Sequence, residues 1–136
     1  MKEIAVAATV GNIRVVTDFI NENLDIFGCS VKAQMQIDIA IDEILSNIIR
    51  YAYGNETGNI TVGIREKNGT AEIIFKDNGI PYDPLKAKEP DLSLSSEDRP
   101  IGGLGIHMVK KMMDTVSYRY ENGQNTLILQ KQIKKG

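Results

Sequence analysis

The sequence contains no tryptophan, one cysteine, one histidine and four prolines among its 136 residues. The single cysteine, Cys29, cannot form a disulfide bond within the chain, which is typical of proteins in a reducing cytoplasm. A catalytic thiol needs a partner such as histidine, and His107 lies far along the chain. We therefore expect Cys29 to be a small residue in or near a turn.

Long apolar runs and an excess of positive charge are also lacking. No apolar run reaches the roughly 18 residues of a membrane-spanning helix, and residues 1–12 are more typical of a first strand than of a signal peptide. The net charge of -2 gives no global basic field that would attract nucleic acid or an anionic membrane. We expect a cytoplasmic protein that contacts neither of them directly.

What is present fits one globular domain spanning residues 1–136. Hydrophobic residues make up 42% of the chain and charged residues 25%, which are ordinary values for a soluble protein with a packed core. A chain of this length is typical of a single domain and too short for two.

Hydrophobic periodicity and turn residues predict the order β-α-α-β-β-loop-α-β-β. The second helix is predicted to begin after Ser30 as N-cap and to end at Gly54, and Asn68-Gly69 predicts a tight hairpin turn. The predicted elements are strand 3–8, helix 12–28, helix 31–53, strands 59–67 and 70–77, a proline-containing loop at 78–101, helix 103–114, and strands 115–121 and 125–133. Consecutive hairpins favour an α+β, two-layer sandwich whose sheet is mixed or mostly antiparallel, with the helices on one face.

Three polar side chains share one strip of the second helix. Glu43, Asn47 and Arg50 follow the spacing i, i+4 and i+7, which places them nearly above one another. A carboxylate, an amide and a guanidinium can face one polar ligand together. By helix geometry alone, the strip is more typical of the edge of the solvated face.

The segment that follows the second hairpin strand begins with Asp77-Asn78-Gly79. These are common turn residues, so a plain turn explains them. Asp77 could also be a buried acceptor beside Gly79, whose missing side chain would let a planar ligand approach the backbone. This motif alone does not decide between the two interpretations.

A third motif is the glycine-rich start of the last helix, at residues 102–106. Free N–H groups and the positive dipole end of a helix N-terminus form an anion site, and glycines let phosphate oxygens reach that backbone. The segment is neither a Walker loop nor a dinucleotide-binding fingerprint, since no Gly-Lys-Ser/Thr follows and no first strand precedes it.

The three motifs occur in the order Glu-x-x-x-Asn, Asp-x-Gly, proline-containing loop and glycine-rich helix start. In this order they resemble the N, G1 and G2 boxes of the GHKL (Bergerat-fold) ATPase family, over roughly residues 14–131. Within that family, "DEILSNIIRYAYG" and "IGGLGIHMVKKMMDTVSY" are most similar to the anti-sigma factor serine/threonine-protein kinases. The resemblance implies an ATP-binding α/β sandwich with a lid at about 85–101.

The resemblance also implies a role for individual residues. Asn47 would ligate Mg²⁺, Asp77 would accept a hydrogen bond from the adenine amino group, and Glu43 would be the general base. The remaining residues implied in nucleotide binding are Arg50, Gly79, Gly102, Gly103, Leu104, Gly105, Ile106 and Thr126. Thr126 matches the family's late-strand threonine, although the usual preceding glycine is missing. Tyr51 stands where the anti-sigma kinases often carry histidine.

The function implied by the resemblance is serine kinase activity, with Mg-ATP, on an anti-sigma factor antagonist. The implied partners are that antagonist and a sigma factor, and family members commonly form homodimers. Two alternatives stay open at this point. One is an ATP-dependent binding or switch module with weak catalysis, suggested by Tyr51, and the other is an interaction domain in which the glycines only form turns.

Overall fold

The structure is a computed structural model that describes residues 1–53, 58–86 and 103–134. The elements, in chain order, are strand β1 (Lys2–Ala7), helix α1 (Asn12–Ile26), helix α2 (Val31–Asn47), a π-helical turn (Ile48–Ala52), strands β2 (Asn59–Lys67) and β3 (Thr70–Asp77), a 3-10 turn (Pro84–Lys86), helix α3 (Gly103–Met112), and strands β4 (Thr115–Glu121) and β5 (Gln124–Gln132). The element order and the α+β class confirm the sequence prediction.

The five strands form one sheet in the order β1-β2-β3-β5-β4, and every neighbouring pair is antiparallel. The expectation of a mixed sheet is thus corrected to an antiparallel one over the described strands. Tight turns explain the β2–β3 and β4–β5 pairings, because Asn68, Gly69, Asn122 and Gly123 all have positive φ values, as a two-residue hairpin turn requires. The second of these turns is shorter than predicted, so β5 begins at Gln124.

The core lies between the sheet and the three helices. Alternate residues of the central strands face the same side as the apolar arcs of the helices, as the two side-chain periodicities require. The largest fully buried side chains are Ile20, Leu24, Ile37, Ile41, Ile44, Leu45, Ile60, Ile64, Ile73, Phe75, Leu129 and Ile133. This core fixes α2 above β3 and β5, where the candidate site is found.

Three helix boundaries lie near the N-terminus, and two of them, the start of α2 and the end of α1, follow simple capping chemistry. The Ser30 hydroxyl oxygen accepts a hydrogen bond from the Ala33 N–H at 3.2 Å, which confirms the predicted N-cap of α2. Asn12 is already the first residue of α1, and Gly11 is its N-cap. The Asn12 amide instead donates to the Ala7 carbonyl and ties the start of α1 to β1. After α1, Gly28 has a φ of +74°, as expected for a helix stop.

The end of the second helix differs from the prediction of one continuous helix to Tyr53. The α-helix stops at Asn47 and continues as a single π-helical turn through Ala52. The apolar periodicity of this stretch does not distinguish the two helix types. The predicted stop, Gly54, and most of the predicted lid lie outside the described residues. Within the described part of the chain, no helix is long and apolar enough to cross a membrane.

Candidate functional site

A pocket opens between the end of α2 and the adjoining ends of β3, β5 and β4. It contains about 380 Å³ of space free of atoms, part of it open to solvent. Asn47 from α2 and Asp77 from β3, 30 residues apart in sequence, both line it. Its other lining residues are Ile44, Ile48, Ala52, Phe75, Tyr82, Pro84, Tyr118, Asn125 and Leu127. The structure thus brings the two key predicted residues together around one cavity with mainly apolar walls, as small-molecule sites commonly have.

Asp77 is a buried carboxylate with a defined orientation. It is the last residue of β3 and is only 6% exposed. Its Oδ1 accepts hydrogen bonds from the Gly79 N–H and from the Asn125 Nδ2, both at 2.9 Å. Among the described residues, no group donates to its Oδ2. Asp77 therefore offers the pocket an acceptor that can bind a donor group of a ligand.

Gly79 has a structural role that the sequence interpretation did not foresee. A Cβ at this position would overlap the carbonyl oxygen of Ala52 in the π-helical turn. The adjacent Ile80 N–H donates to that same carbonyl at 2.8 Å. The missing side chain is thus required for close packing of the loop against the end of α2, whether or not a planar ligand also approaches.

We expect Gly79→Ala to lower the free energy of unfolding by about 2–3 kcal/mol, because the overlap is with backbone that has little freedom to move. Urea unfolding measures this loss. Gly11→Ala is the matched control, since Gly11 has a φ of -61° and a Cβ there meets no atom within 4 Å. Equal stability of the Gly79 and Gly11 variants would contradict the packing explanation.

The predicted strip on α2 is only partly preserved. Asn47 donates from Nδ2 to Glu43 Oε1 at 3.3 Å, so these two side chains act as a pair near the pocket. Arg50 is exposed and does not line the pocket; its guanidinium lies 5.7 Å from the Tyr51 ring centroid. The π-helical turn explains this, because its larger number of residues per turn moves Arg50 away from the i, i+7 alignment.

Glu43 also contacts the start of α3. A Cβ at Gly105 would overlap the Glu43 carboxylate, so the absence of a side chain there lets α3 approach this acidic group closely. Ile106, predicted to contact nucleotide, is 3% exposed and belongs to the core, so only its backbone could face a ligand. Gly103 begins α3, the side chain of Leu104 is not described, and Gly102 lies outside the described residues.

Thr126 is not brought to the pocket. Thr126 pairs with Lys76 of β3, whereas Asn125 pairs with Asp77. Because successive side chains of a strand alternate between faces, Thr126 lies on the opposite face of the sheet from Asp77. The residue that contacts Asp77 is Asn125, which the sequence interpretation missed. Strand alternation was the available signal, because Asn125 shares its face with the buried residues Leu127 and Leu129.

Thr126→Val should therefore change nucleotide affinity by less than about twofold, since the removed hydroxyl faces away from the pocket. Calorimetric titration of the variant with Mg-ATP measures the effect. A tenfold or larger loss of affinity, with an unchanged unfolding midpoint, would restore Thr126 to the site.

Two tyrosines of the pocket were also missed, because sequence periodicity does not show which loop and strand residues meet. The Tyr118 hydroxyl donates to Asn125 Oδ1 and accepts from the Tyr82 N–H at 3.2 Å. Burial raises the pKa of the Tyr118 and Tyr82 phenols above their usual value, so both remain protonated at neutral pH. The Tyr82 ring in turn packs at 5.2 Å from the ring of Tyr51.

Asn47 and Glu43 are the residues near the pocket that could supply oxygen ligands to a metal ion. In the described part of the chain, no three His, Cys, Asp or Glu side chains cluster as a metal site. Since the Asn47 Nδ2 faces Glu43, its Oδ1 remains a hard oxygen ligand, with the Glu43 carboxylate nearby. Mg²⁺ commonly takes one or two such protein ligands and completes its shell with water and phosphate oxygens.

Comparison with known proteins finds one matching family and several protein kinases of similar sequence. Residues 6–131 match the family described as histidine kinase-like ATPase domain. The chain is 30% identical over 101 residues to the serine/threonine-protein kinase BtrW of Bordetella bronchiseptica, with 74% of this chain and 71% of BtrW covered. It is 32% identical over 94 residues to the serine-protein kinase RsbW of Bacillus cereus, covering 66% of this chain and 59% of RsbW.

A solved structure supports the same fold. The crystal structure of the RsbU and RsbW domains of Rv1364c from Mycobacterium tuberculosis aligns with a TM-score of 0.65 and 15% sequence identity. The alignment covers 100% of this chain and 34% of that one. At this identity the likeness concerns the fold, which it confirms as the α+β sandwich predicted from the sequence.

Proposed function

The chain belongs to the histidine kinase-like ATPase domain family, and from this premise we propose that it binds Mg-ATP and phosphorylates a serine of an anti-sigma factor antagonist. The observation that carries the proposal is the convergence of Asn47 and Asp77 on one pocket, with Glu43 hydrogen-bonded to Asn47. The names of the relatives, serine-protein kinase RsbW and serine/threonine-protein kinase BtrW, support the reaction class. The chain spans about 59% of the RsbW relatives' length, so their whole activity is part of the proposal.

In the proposed complex the nucleotide spans the pocket from β3 to the start of α3. The adenine amino group donates to Asp77, which discriminates against a base with a carbonyl at that position. The phosphates approach the N-terminus of α3, where free N–H groups and the helix dipole favour negative charge. Mg²⁺, when bound beside Asn47, neutralises charge that develops on the phosphates.

Glu43 then orients the attacking serine hydroxyl and accepts its proton. The serine oxygen forms a bond to the γ-phosphorus, the bond from that phosphorus to the β–γ bridging oxygen breaks, and ADP leaves. Phosphoryl transfer depends mainly on positioning and charge neutralisation, so one carboxylate and one metal ion suffice.

The proposed biological role is a cytoplasmic switch between two protein partners. The chain, as a homodimer, holds a sigma factor when unphosphorylated antagonist is scarce, and it releases phosphorylated antagonist after transfer. The test is a pull-down with and without ATP, followed by phosphosite mapping on the proteins that co-purify. We expect one protein phosphorylated on serine; binding of ATP without phosphate transfer to any captured protein would reject the kinase activity.

A second candidate function is an ATP-dependent binding module with little catalysis. The observation that favours it is Tyr51, which replaces the histidine common in the anti-sigma kinases and packs against Tyr82 at the pocket. In this case ATP would order the pocket and present a partner surface. Partner capture that requires ATP but is unchanged in Glu43→Gln would favour this function over the kinase.

A further inference from the structure

Asn125 is the centre of a hydrogen-bond cluster at the base of the pocket. It is 5% exposed and uses its whole amide. Its Nδ2 donates to Asp77 Oδ1 and to the Ile80 carbonyl, both at 2.9 Å. Its Oδ1 accepts from the Tyr118 hydroxyl and from the Tyr82 N–H at 3.3 Å. Two donors and two acceptors of one side chain are thus matched.

This matching fixes the orientation of the amide. A carboxylate and a backbone carbonyl can only accept, so the NH₂ group must face Asp77 and Ile80. On the other side, the Tyr82 N–H can only donate, so the amide oxygen must face it. Because burial raises the pKa of Tyr118, its hydroxyl keeps the proton that it donates to this oxygen. Rotating the amide by 180° would place like groups against each other on both sides.

The orientation of Asn125 determines what Asp77 presents to the pocket. Oδ1 is engaged by Asn125 and by the Gly79 N–H, so the carboxylate is held from two directions. Oδ2 is left, among the described residues, as the acceptor available to a ligand. We propose that Tyr118 and Asn125 are positioning residues that hold Asp77 in this orientation and thereby set the preference for a 6-aminopurine over a 6-oxopurine nucleotide.

This inference rests on the proposed function, because it concerns the same nucleotide pocket. A 6-amino group donates to a fixed carboxylate oxygen, whereas a 6-oxo group would place one acceptor against another. A carboxylate free to rotate would lose part of this discrimination, because water or a shifted base could relieve the mismatch. Preorganised polar groups discriminate more strongly than loosely held ones.

The experiment compares the dissociation constants of ATP and inosine triphosphate, which differ at this position of the base, by calorimetry. The variants are Asn125→Leu, which removes every hydrogen bond of this side chain at similar volume, and Tyr118→Phe, which removes one hydroxyl. We expect the preference of the unmodified protein for ATP to fall by about tenfold or more in the first and about threefold to tenfold in the second. Tyr120→Phe is the matched control, since Tyr120 lies two residues along β4 and does not line this pocket.

A pH profile separates positioning from a merely structural role. Asn125→Asp would place a second carboxylate beside Asp77 Oδ1, and such a pair retains one proton because both groups resist ionising together. While that proton is bound, the new carboxyl group can donate a hydrogen bond to Asp77 as the amide does. Once the proton is lost, this hydrogen bond is broken and Asp77 is no longer held. We expect the dissociation constant for ATP, relative to that of the unmodified protein, to rise about tenfold between about pH 6 and about pH 9.

The outcomes are distinguishable. If the unmodified protein binds neither nucleotide, the proposed function itself fails. If it prefers ATP and the preference is unchanged in both Asn125→Leu and Tyr118→Phe, only this inference is overturned. If Asn125→Leu does not fold, the nucleotide preference of Tyr118→Phe and the pH profile of Asn125→Asp decide. An unchanged preference together with a flat pH profile would contradict the proposal that Tyr118 and Asn125 hold Asp77 in position.

Discussion

Asp77→Asn should lower the affinity for ATP by at least about 100-fold, because it places an amide donor against the adenine amino group inside a buried site. The substituted side chain keeps an oxygen for Gly79 and Asn125, so the surrounding fold should persist. Its NH₂ group then takes the place of Oδ2. The ratio of the dissociation constants of ATP and inosine triphosphate should also shift in favour of inosine triphosphate, because its 6-carbonyl accepts a hydrogen bond from the new NH₂ group.

Calorimetric titration with both nucleotides, with the unfolding midpoint as a check on the fold, measures the effect. Asp18→Asn is the control, because Asp18 is an exposed carboxylate of α1, 63% accessible in its side chain, and does not line the pocket. If Asp77→Asn retains ATP affinity within threefold of the unmodified protein, Asp77 does not bind the base.

Glu43→Gln should reduce the rate of phosphoryl transfer by about 10² to 10⁴-fold, the range expected when a positioned general base is removed. The glutamine retains an oxygen that accepts from Asn47, so the local geometry should be kept. It also has nearly the same volume, which matters because this carboxylate lies against Gly105. Affinity for Mg-ATP should therefore change by no more than about threefold.

Single-turnover transfer from labelled ATP to the captured substrate measures the rate, and calorimetry measures the affinity. The neighbouring exposed residue provides the control, since Asp42→Asn removes the same kind of charge one position earlier. A transfer rate unaffected by Glu43→Gln would remove Glu43 from the mechanism. A large loss of ATP affinity with little change in rate would instead make it a binding residue.

The elements that hold the site follow from local sequence rules, which explains why they were predictable. Ser30 caps α2 as its side-chain chemistry dictates, and the Asn-Gly turn after β2 forces an antiparallel hairpin. The ordered motifs around Asn47 and Asp77 predicted that distant segments meet, and they line one pocket in the structure. The cap and the turn depend on residues close together in sequence, and the convergence of Asn47 and Asp77 was predicted from the order of the motifs.

The features that were missed depend on long-range register. Asn125 reaches Asp77 only because β3 and β5 pair with those two residues opposite each other, 48 positions apart. A shift of one residue would have put Thr126 there, as the family pattern suggested. The π-helical turn was equally hidden, since its residues retain the apolar spacing of a helix, yet it moves Arg50 away from the pocket.

The central claim is that Asp77 and Asn47 hold the two ends of one nucleotide, and a residue-resolved titration tests it most directly. Isotope-labelled protein is titrated with the magnesium complex of a non-hydrolysable ATP analogue while the amide resonances are followed by NMR. We predict that the Gly79 and Asn125 backbone amides and the Asn47 side-chain amide shift together with one dissociation constant. Saturable shifts that spare either the Asp77 end or the Asn47 end, or no shifts at all, would contradict it.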